Sequence, residues 1–171
     1  SWFAATHYGV EPDLVTFAKA VTSGYIPLGG VLVGRRVRES LEADPTAVLR
    51  TGFTYSGHPT ACAAGVACIE VTESEGLLDR ATALGRRIGT GLRALHHDGL
   101  VGQVRGVGAI WAVDLADEDT RSAGDVAEAA LERGVIVRPI APSTLALCPP
   151  LVMTDDEVDT VVDTLAGVLV R

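Results

Sequence analysis

Apolar residues form two short runs near the start of the chain, Leu14 to Ala18 and Val31 to Val33. Both runs contain β-branched residues and are bounded by glycine and proline, a pattern that predicts buried strands. Lys19 follows the first run directly, at the point where that strand should end. The pattern therefore predicts two buried strands joined by a loop that begins at Lys19.

Farther along the chain, apolar residues recur at three- and four-residue steps and predict helices. The longest such pattern runs from Leu77 to His97, and a helix rich in small residues precedes it from Thr60 to Glu75. Capping patterns at Ser122 and Thr154 predict the starts of two later helices. The remaining expectations are an irregular segment at 1–9, a short helix at 35–43, two strands within 100–115 with a turn near 106–108, and strands at 135–138 and 144–148.

The composition describes a folded globular protein with an acidic surface. Apolar residues make up 47% of the 171 residues and charged residues 21%, which excludes a disordered chain. The net charge of −8 argues against a nucleic-acid partner and supplies no basic stripe for a membrane surface. The three cysteines form no CxxC pair and fit a reduced, cytoplasmic protein.

Lys19 is the only lysine in the chain, beside thirteen arginines. An amine at the mouth of two buried strands is costly unless it has a partner or a chemical role. Such a site can lower the pKa of a lysine and make it a nucleophile. The alternative is a solvated lysine at the start of a loop.

A polar loop, TGFTYSGHP, runs from Thr51 to Pro59 and leads into the small-residue helix, with Pro59 in its first turn. Hydroxyl groups and free backbone N–H groups near a helix start suit an anion such as phosphate. The alternative is an ordinary capped loop. His58 is interpreted as a loop or cap residue, because no second ligand stands at metal-binding spacing, and no metal site is predicted.

The arginines and cysteines of the two long helices are given structural interpretations. Cys62 and Cys68 are expected to be small core residues of the first helix. The four arginines of the second helix are expected on a solvated face: Arg80, Arg86, Arg87 and Arg93.

Four segments resemble the class III aminotransferases, which are pyridoxal-phosphate enzymes of fold type I, and are closest to their ω-aminotransferase branch. The first is DLVTFAK followed by TSGYIPLGG, from Asp13 to Gly30. The others are GFTYSGHP at 52–59, VRGVG at 104–108 and GVIVRPIAPSTLALCPPLVMTDDEVD at 134–159. The resemblance spans nearly the whole chain.

The resemblance implies roles for particular residues. Lys19 would carry pyridoxal 5′-phosphate as a Schiff base, and Thr54, with the backbone at Phe53, would contact the cofactor phosphate from the neighbouring subunit of a dimer. Arg138 would bind a substrate carboxylate, for which a guanidinium fork is well suited. Tyr25 is a further candidate for substrate binding. Arg105, in VRGVG, either contacts the site or forms a structural ion pair.

The resemblance also implies an α/β architecture in which the end of a large domain is followed by a C-terminal α+β small domain. The expected division is a large-domain part at 1–58, a linking helix at 59–76 and a small domain with a mostly antiparallel sheet at 77–171. The family's phosphate loop and its aspartate for the cofactor ring would precede Ser1, so the chain is expected to be the C-terminal portion of a longer enzyme.

The function that the resemblance implies is amino-group transfer between small-molecule amines or ω-amino acids and keto acids, by a homodimer. Two alternatives stay open. An aminomutase or racemase on the same scaffold would also use Lys19, and a truncated chain would serve as a non-catalytic or dimerisation module.

Overall fold

The computed structural model describes residues 1–170 and divides the chain into two compact units, Ser1–Leu78 and the part from Asp79 onward. The division falls two residues beyond the expected end of the linking helix, within the helix that begins at Leu77. The three-part domain assignment stays a prediction. Across residues 1–170, none of the helices combines the length and the apolar character needed to cross a membrane.

The first unit contains one antiparallel pair of strands and three helices. Its elements are α1 (Ala4–His7), β1 (Leu14–Ala18), a 3-10 turn (Lys19–Thr22), β2 (Gly29–Val33), α2 (Arg35–Glu42) and α3 (Pro59–Ser74). Strands β1 and β2 pair from Leu14 opposite Val33 to Ala18 opposite Gly29. The strand predictions are confirmed in position, whereas the expectation of an irregular start is wrong at Ala4–His7.

The expectation that both strands are buried is wrong. Leu14, Val31, Leu32 and Val33 each keep about half of their surface exposed. The sheet has only two strands, which pair with each other, so much of its apolar surface has no covering element within the unit. The small-residue helix shows the same feature, because Cys62 is exposed and Cys68 only partly covered, which contradicts their expected core positions.

The second unit is a four-stranded antiparallel sheet packed with helices, as predicted. Its elements are α4 (Leu77–His97), which begins two residues before the division, β3 (Val101–Val107), β4 (Ile110–Leu115), α5 (Ala123–Glu132), β5 (Arg138–Ile140), β6 (Thr144–Leu147) and α6 (Asp155–Leu169). The strand order is β3-β4-β6-β5. One core joins Leu84, Leu92, Val113, Leu145 and Leu165, all fully buried.

Two helices of this unit begin with the capping boxes that the sequence predicts. Ser122 Oγ accepts from the N–H of Asp125, and Thr154 Oγ1 accepts from that of Glu157. The carboxylates of Asp125 and Glu157 in turn accept from the cap residues' N–H groups, and these bonds lower the pKa of each carboxyl. Both helix starts are therefore satisfied locally.

The strand expected at 135–138 is misplaced, because β5 begins at Arg138 and runs through Pro139. Pro139 was expected to stop the strand, since it has no N–H to donate. However, β5 is an edge strand of the sheet and pairs only with β6, so one side needs no donors. Arg138 is consequently the first residue of the strand and not its last.

The solvated face predicted for α4 is only partly correct. Arg80 Nη1 lies 2.9 Å from Asp155 Oδ1, and Arg87 Nε lies 2.8 Å from Asp159 Oδ1, so both arginines pair with α6. Arg93 instead lies over the ring of Trp111, with 5.3 Å between its guanidinium carbon and the ring centroid. The aspartates that α6 contributes are far away in sequence, which is why the pattern on α4 could not reveal them.

Helix α4 approaches the β3–β4 hairpin closely through two glycines. A Cβ at Gly85 would lie 1.7 Å from the carbonyl oxygen of Gly108, and one at Gly89 would lie 2.3 Å from the Trp111 ring. Neither distance is compatible with a side chain, because van der Waals contact begins near 3.4 Å. The absence of side chains at 85 and 89 therefore sets the spacing between α4 and the hairpin.

The substitution Gly85→Ala should destabilise the protein by about 1–3 kcal/mol, because the added methyl group overlaps backbone atoms of the hairpin turn. Gly167→Ala is the matched control within α6, where a Cβ would meet only the flexible end of Arg133, 3.0 Å away. It should be neutral or stabilising by up to about 1 kcal/mol through helix propensity. Urea unfolding followed by circular dichroism measures both, and equal effects would contradict the close approach.

Candidate functional site

Lys19 occupies an unusual backbone position directly after β1. It opens the 3-10 turn with a φ of 54°, in the left-handed region, and Ser23 at the end of the turn has a φ of 49°. Such conformations cost non-glycine residues on the order of 1–3 kcal/mol each and persist only where the surroundings enforce them. Strained positions of this kind cluster at functional sites, so the backbone itself indicates this turn as a candidate site.

Hydrogen bonds inside the turn hold this conformation. The hydroxyl of Thr22 donates to the carbonyl of Ile26 at 2.6 Å, and the N–H of Tyr25 donates to the carbonyl of Thr22 at 3.0 Å. The N–H of Ser23 donates to the carbonyl of Ala20 at 3.1 Å. The chain from Lys19 to Ile26 is thus a closed loop and not a free connection.

Helix α3 packs against the 3-10 turn that begins at Lys19. Gly65 allows the close approach, since a Cβ there would lie 3.0 Å from Leu28 Cδ2 and 3.7 Å from the carbonyl oxygen of Val21. The thiol of Cys68 lies 3.5 Å from the carbonyl oxygen of Ala20, a contact within the sulfur hydrogen-bond range. The small residues of α3 therefore serve to bring the helix onto the turn.

The amine of Lys19 is available for chemistry. The residue is exposed, and its side-chain amine has no hydrogen-bond or ion-pair partner within the described residues 1–170. It lines an open pocket together with residues of the following loop: Thr22, Gly24, Ile26, Pro27, Leu28 and Gly29. Tyr25, at the tip of this loop, is 90% exposed. The closed loop from Lys19 to Ile26 accordingly carries both Lys19 and Tyr25.

Phe53 and Thr54 lie on a separate, exposed loop before α3. The N–H of Phe53 donates to Ser56 Oγ at 3.0 Å, and the N–H of Ser56 donates back to the carbonyl of Phe53 at 2.9 Å. Thr54 has no recorded hydrogen-bond partner for its hydroxyl or N–H among residues 1–170. His58 caps α3 by accepting from the N–H of Ala61, as predicted.

The two arginines considered in the second unit differ in their surroundings. Arg138 is exposed at the start of β5 and has no ion-pair partner in the part of the chain that the structure describes. Arg105 is engaged, because its guanidinium donates to both oxygens of Asp114, at 2.6 and 3.0 Å. Of the two readings of Arg105, the structure therefore supports the structural ion pair.

Within residues 1–170, no cluster of three or more histidine, cysteine, aspartate or glutamate side chains could hold a metal ion. Thr22, Gly65 and Cys68 surround the Lys19 turn but were not identified from the sequence as parts of a site. The sequence showed each of them only as a small or polar residue in a mostly apolar stretch, which does not by itself indicate a site.

Residues 1–169 match the family described as "Aminotransferase class-III". The chain therefore belongs to the class III aminotransferases, which confirms the resemblance found in its motifs. The diaminobutyrate–2-oxoglutarate transaminase of Halomonas elongata is 39% identical across 94% of this chain and 37% of that protein. The acetylornithine aminotransferase of Methanothermobacter thermautotrophicus is 38% identical across 98% of this chain and 40% of that protein.

Solved structures agree with this membership. A transaminase from the marine bacterium Virgibacillus matches 98% of this chain with a TM-score of 0.90 and 37% identity. An amine transaminase from an uncultivated Pseudomonas species, in its PLP-bound form, matches 99% with a TM-score of 0.89 and 35% identity. These matches confirm the expected α/β, fold type I architecture. The chain spans 41% and 40% of these two structures, about two fifths of their length.

The ion pair of Arg105 and Asp114 should make stability depend on pH. Hydrogen bonds from Arg105 and then from Thr144 lower the pKa of the Asp114 carboxyl. A lowered pKa adds stability above the unfolded value of about 3.9, and this stability is lost as the pH falls through the folded-state pKa. Asp114→Asn should therefore lower stability at pH 7 and flatten its decline between about pH 5 and 2.

Urea unfolding at a series of pH values measures this dependence. Asp117→Asn is the matched control, because Asp117 is an exposed aspartate of the neighbouring loop and has no hydrogen-bond or ion-pair partner for its side chain among residues 1–170. Its stability profile should follow that of the unsubstituted chain. Identical profiles for the two variants would contradict a role for the Arg105–Asp114 pair.

Proposed function

We propose that this chain forms part of a pyridoxal-phosphate-dependent aminotransferase that transfers an amino group from an amine or ω-amino acid to a keto acid. The observation that carries the proposal is the unpartnered amine of Lys19 on a backbone turn held in a left-handed conformation. Family membership and a relative solved in a PLP-bound form support it. The named substrates of the relatives, among them diaminobutyrate and γ-aminobutyrate, are consistent with ω-amino donors.

The residues present fit this cofactor. A lysine that attaches an aldehyde through Nζ needs an amine free of ion pairs and open space beside it, and Lys19 has both. A phosphate contact needs donors that are not already used within the protein. Thr54 offers such a hydroxyl and N–H, whereas the N–H of Phe53 is already donated to Ser56. The proposed phosphate contact therefore rests mainly on Thr54.

The cofactor, when bound, supplies an electron-withdrawing ring that stabilises negative charge on the carbon bearing the amino group. The proposed role of Lys19 has two parts. Its Nζ would hold the cofactor in place, and once the donor amine has displaced it, the free Nζ would accept the proton from that carbon and deliver it to the cofactor carbon on the other side of the transferred nitrogen. A single amine thus serves for attachment and for general acid–base chemistry.

The remaining assignments belong to the same proposal. Thr54 is proposed to reach the cofactor phosphate from the neighbouring subunit, which makes the protein a homodimer. Arg138 is proposed to bind a substrate carboxylate, since its guanidinium is exposed and unpaired among residues 1–170. Tyr25 is proposed as a substrate contact because of its position on the Lys19 turn. A cytoplasmic location stays a prediction.

The first test is covalent trapping of the cofactor. The protein is incubated with pyridoxal phosphate, reduced with borohydride and digested, and the labelled peptide is identified by mass spectrometry. The label should lie on Lys19, the only lysine of the chain. Lys19→Arg, which keeps the charge but removes the nucleophilic amine, should lower the label at this position to background. A label restricted to the N-terminal amine would contradict the proposal.

The second test asks whether Arg138 recognises the carboxylate of the amino donor, by comparing a donor that has a carboxylate with one that lacks it. Arg138→Gln should raise KM for an ω-amino acid donor by about 10- to 100-fold, since a charge-assisted bidentate interaction is lost. An arylalkylamine donor without a carboxylate should show little change. Arg138→Lys is the control that keeps the positive charge but loses the planar guanidinium fork. Its KM for the ω-amino acid donor should lie between those of the unsubstituted enzyme and Arg138→Gln. Equal losses for both donors would contradict carboxylate binding by Arg138.

A further inference from the structure

The closed loop from Lys19 to Ile26 contains three residues with left-handed backbone angles within six positions. Lys19, Ser23 and Gly24 have φ values of 54°, 49° and 80°. Only the glycine adopts this conformation readily. The two other residues would relax into commoner conformations unless contacts nearby prevent it.

Thr22 lies between these residues and makes a contact that could prevent such relaxation. Its side chain is 3% exposed, and it is the buried polar residue of the described part of the chain. Its hydroxyl donates to the carbonyl of Ile26 at 2.6 Å, and its own carbonyl accepts from the N–H of Tyr25. One residue thus closes the loop through both its side chain and its backbone.

Because Thr22 is buried, breaking this hydrogen bond costs more free energy than it would at the surface. A buried carbonyl or hydroxyl without a partner is costly, so the loop is most stable when Thr22 Oγ1 and the Ile26 carbonyl remain paired. Ile26 lines the same open pocket as Lys19. The bond therefore connects Ile26, in the lining of that pocket, to the 3-10 turn that begins at Lys19.

We infer that Thr22 is a positioning residue, whose buried hydroxyl fixes the turn so that the amine of Lys19 is presented to the cofactor. The inference rests on the proposed function for the identity of the bound group. This role does not require Thr22 to touch the reacting atoms. It acts through the backbone of the residues between Lys19 and Ile26.

The neighbouring helix alone does not account for the closed loop. Helix α3 contacts the turn through Gly65 beside Leu28 and through the Cys68 thiol beside the Ala20 carbonyl. The thiol is a weak donor, and its sulfur lies 3.5 Å from the acceptor. The carbonyl of Ile26, in contrast, receives a short bond from a strong donor. Thr22 is accordingly the residue whose substitution should release the loop.

The test compares Thr22→Val, which keeps the shape but removes the hydroxyl, with Thr22→Ser, which keeps the hydroxyl. The first readout needs no cofactor: hydrogen exchange of the Ser23 and Tyr25 amides, measured by NMR. Their exchange should be about tenfold faster in Thr22→Val, because a buried hydrogen bond is lost, and near the original rate in Thr22→Ser. Thr22→Ala provides the same comparison if Thr22→Val does not fold.

The second readout is the reaction of Lys19 with two amine reagents. Pyridoxal phosphate should bind at Lys19 about tenfold more weakly in Thr22→Val than in the unsubstituted chain, as measured by borohydride trapping over a range of concentrations. A small acylating reagent, which needs no orientation, should modify Lys19 at an unchanged rate. Thr22→Ser should restore cofactor binding.

Thr72→Val is the matched control. The hydroxyl of Thr72 also donates to a backbone carbonyl, that of Cys68 at 2.7 Å, but within α3. Its loss should change neither readout by more than about twofold, since the Cys68 carbonyl lies in a helix that supplies another donor.

The outcomes separate this inference from the proposed function. Unchanged exchange in Thr22→Val, or faster exchange with unchanged cofactor binding, would overturn the role of Thr22. An unsubstituted chain that takes no pyridoxal phosphate at Lys19 would instead overturn the proposed function and, with it, the presentation of the amine to that cofactor. Hydrogen exchange would still decide whether Thr22 holds the turn.

Discussion

The left-handed backbone of Lys19 is the constraint on which the rest of the first unit depends. A β-strand that continued past Ala18 would place its next side chain on the opposite face of the sheet, whereas the φ of 54° turns the chain sharply at this residue. The turn costs free energy locally, so it needs contacts of matching size. The hydrogen bonds of the closed loop and the approach of α3 at Gly65 supply them. Strain at a reactive side chain with support around it is common where a group must be held for chemistry.

The second unit depends on a different feature, which is the close packing that glycines permit between a helix and a hairpin. Gly85 and Gly89 allow α4 to lie against the β3–β4 hairpin, and Trp111 fills the space beside Gly89. Arg93 then covers the outer face of the Trp111 ring. Helix α4 is held further by Arg80 and Arg87, which pair with aspartates of α6. The helix is thus fixed by apolar contact on one side and by partly exposed ion pairs on another.

Features governed by neighbours in sequence could be predicted, and features governed by distant neighbours could not. The period of apolar residues in α4 and the capping boxes of α5 and α6 depend on residues three or four positions apart, so the sequence contains the needed information. The strand at Pro139 was misplaced because only the strand order shows that β5 is an edge. Likewise, the sequence could not show that Thr22 is buried while Lys19, three residues earlier, is exposed.

The two arginines of VRGVG and GVIVRP show the same limit for the candidate site. Both residues are strand arginines, and nothing in their own segments separates a structural role from a binding role. Arg105 is already paired within the protein, because β4 places Asp114 beside it. Thr144 of β6 donates a hydrogen bond to the same carboxylate at 2.5 Å. Arg138 stands on the opposite edge strand, and its neighbour β6, Thr144–Leu147, contains no acidic residue. A guanidinium with satisfied donors stabilises the fold, whereas one with free donors retains its capacity to bind a carboxylate from elsewhere. The residues of the strand beside each arginine, and not the arginine's own segment, therefore determine which of the two can contribute to recognition.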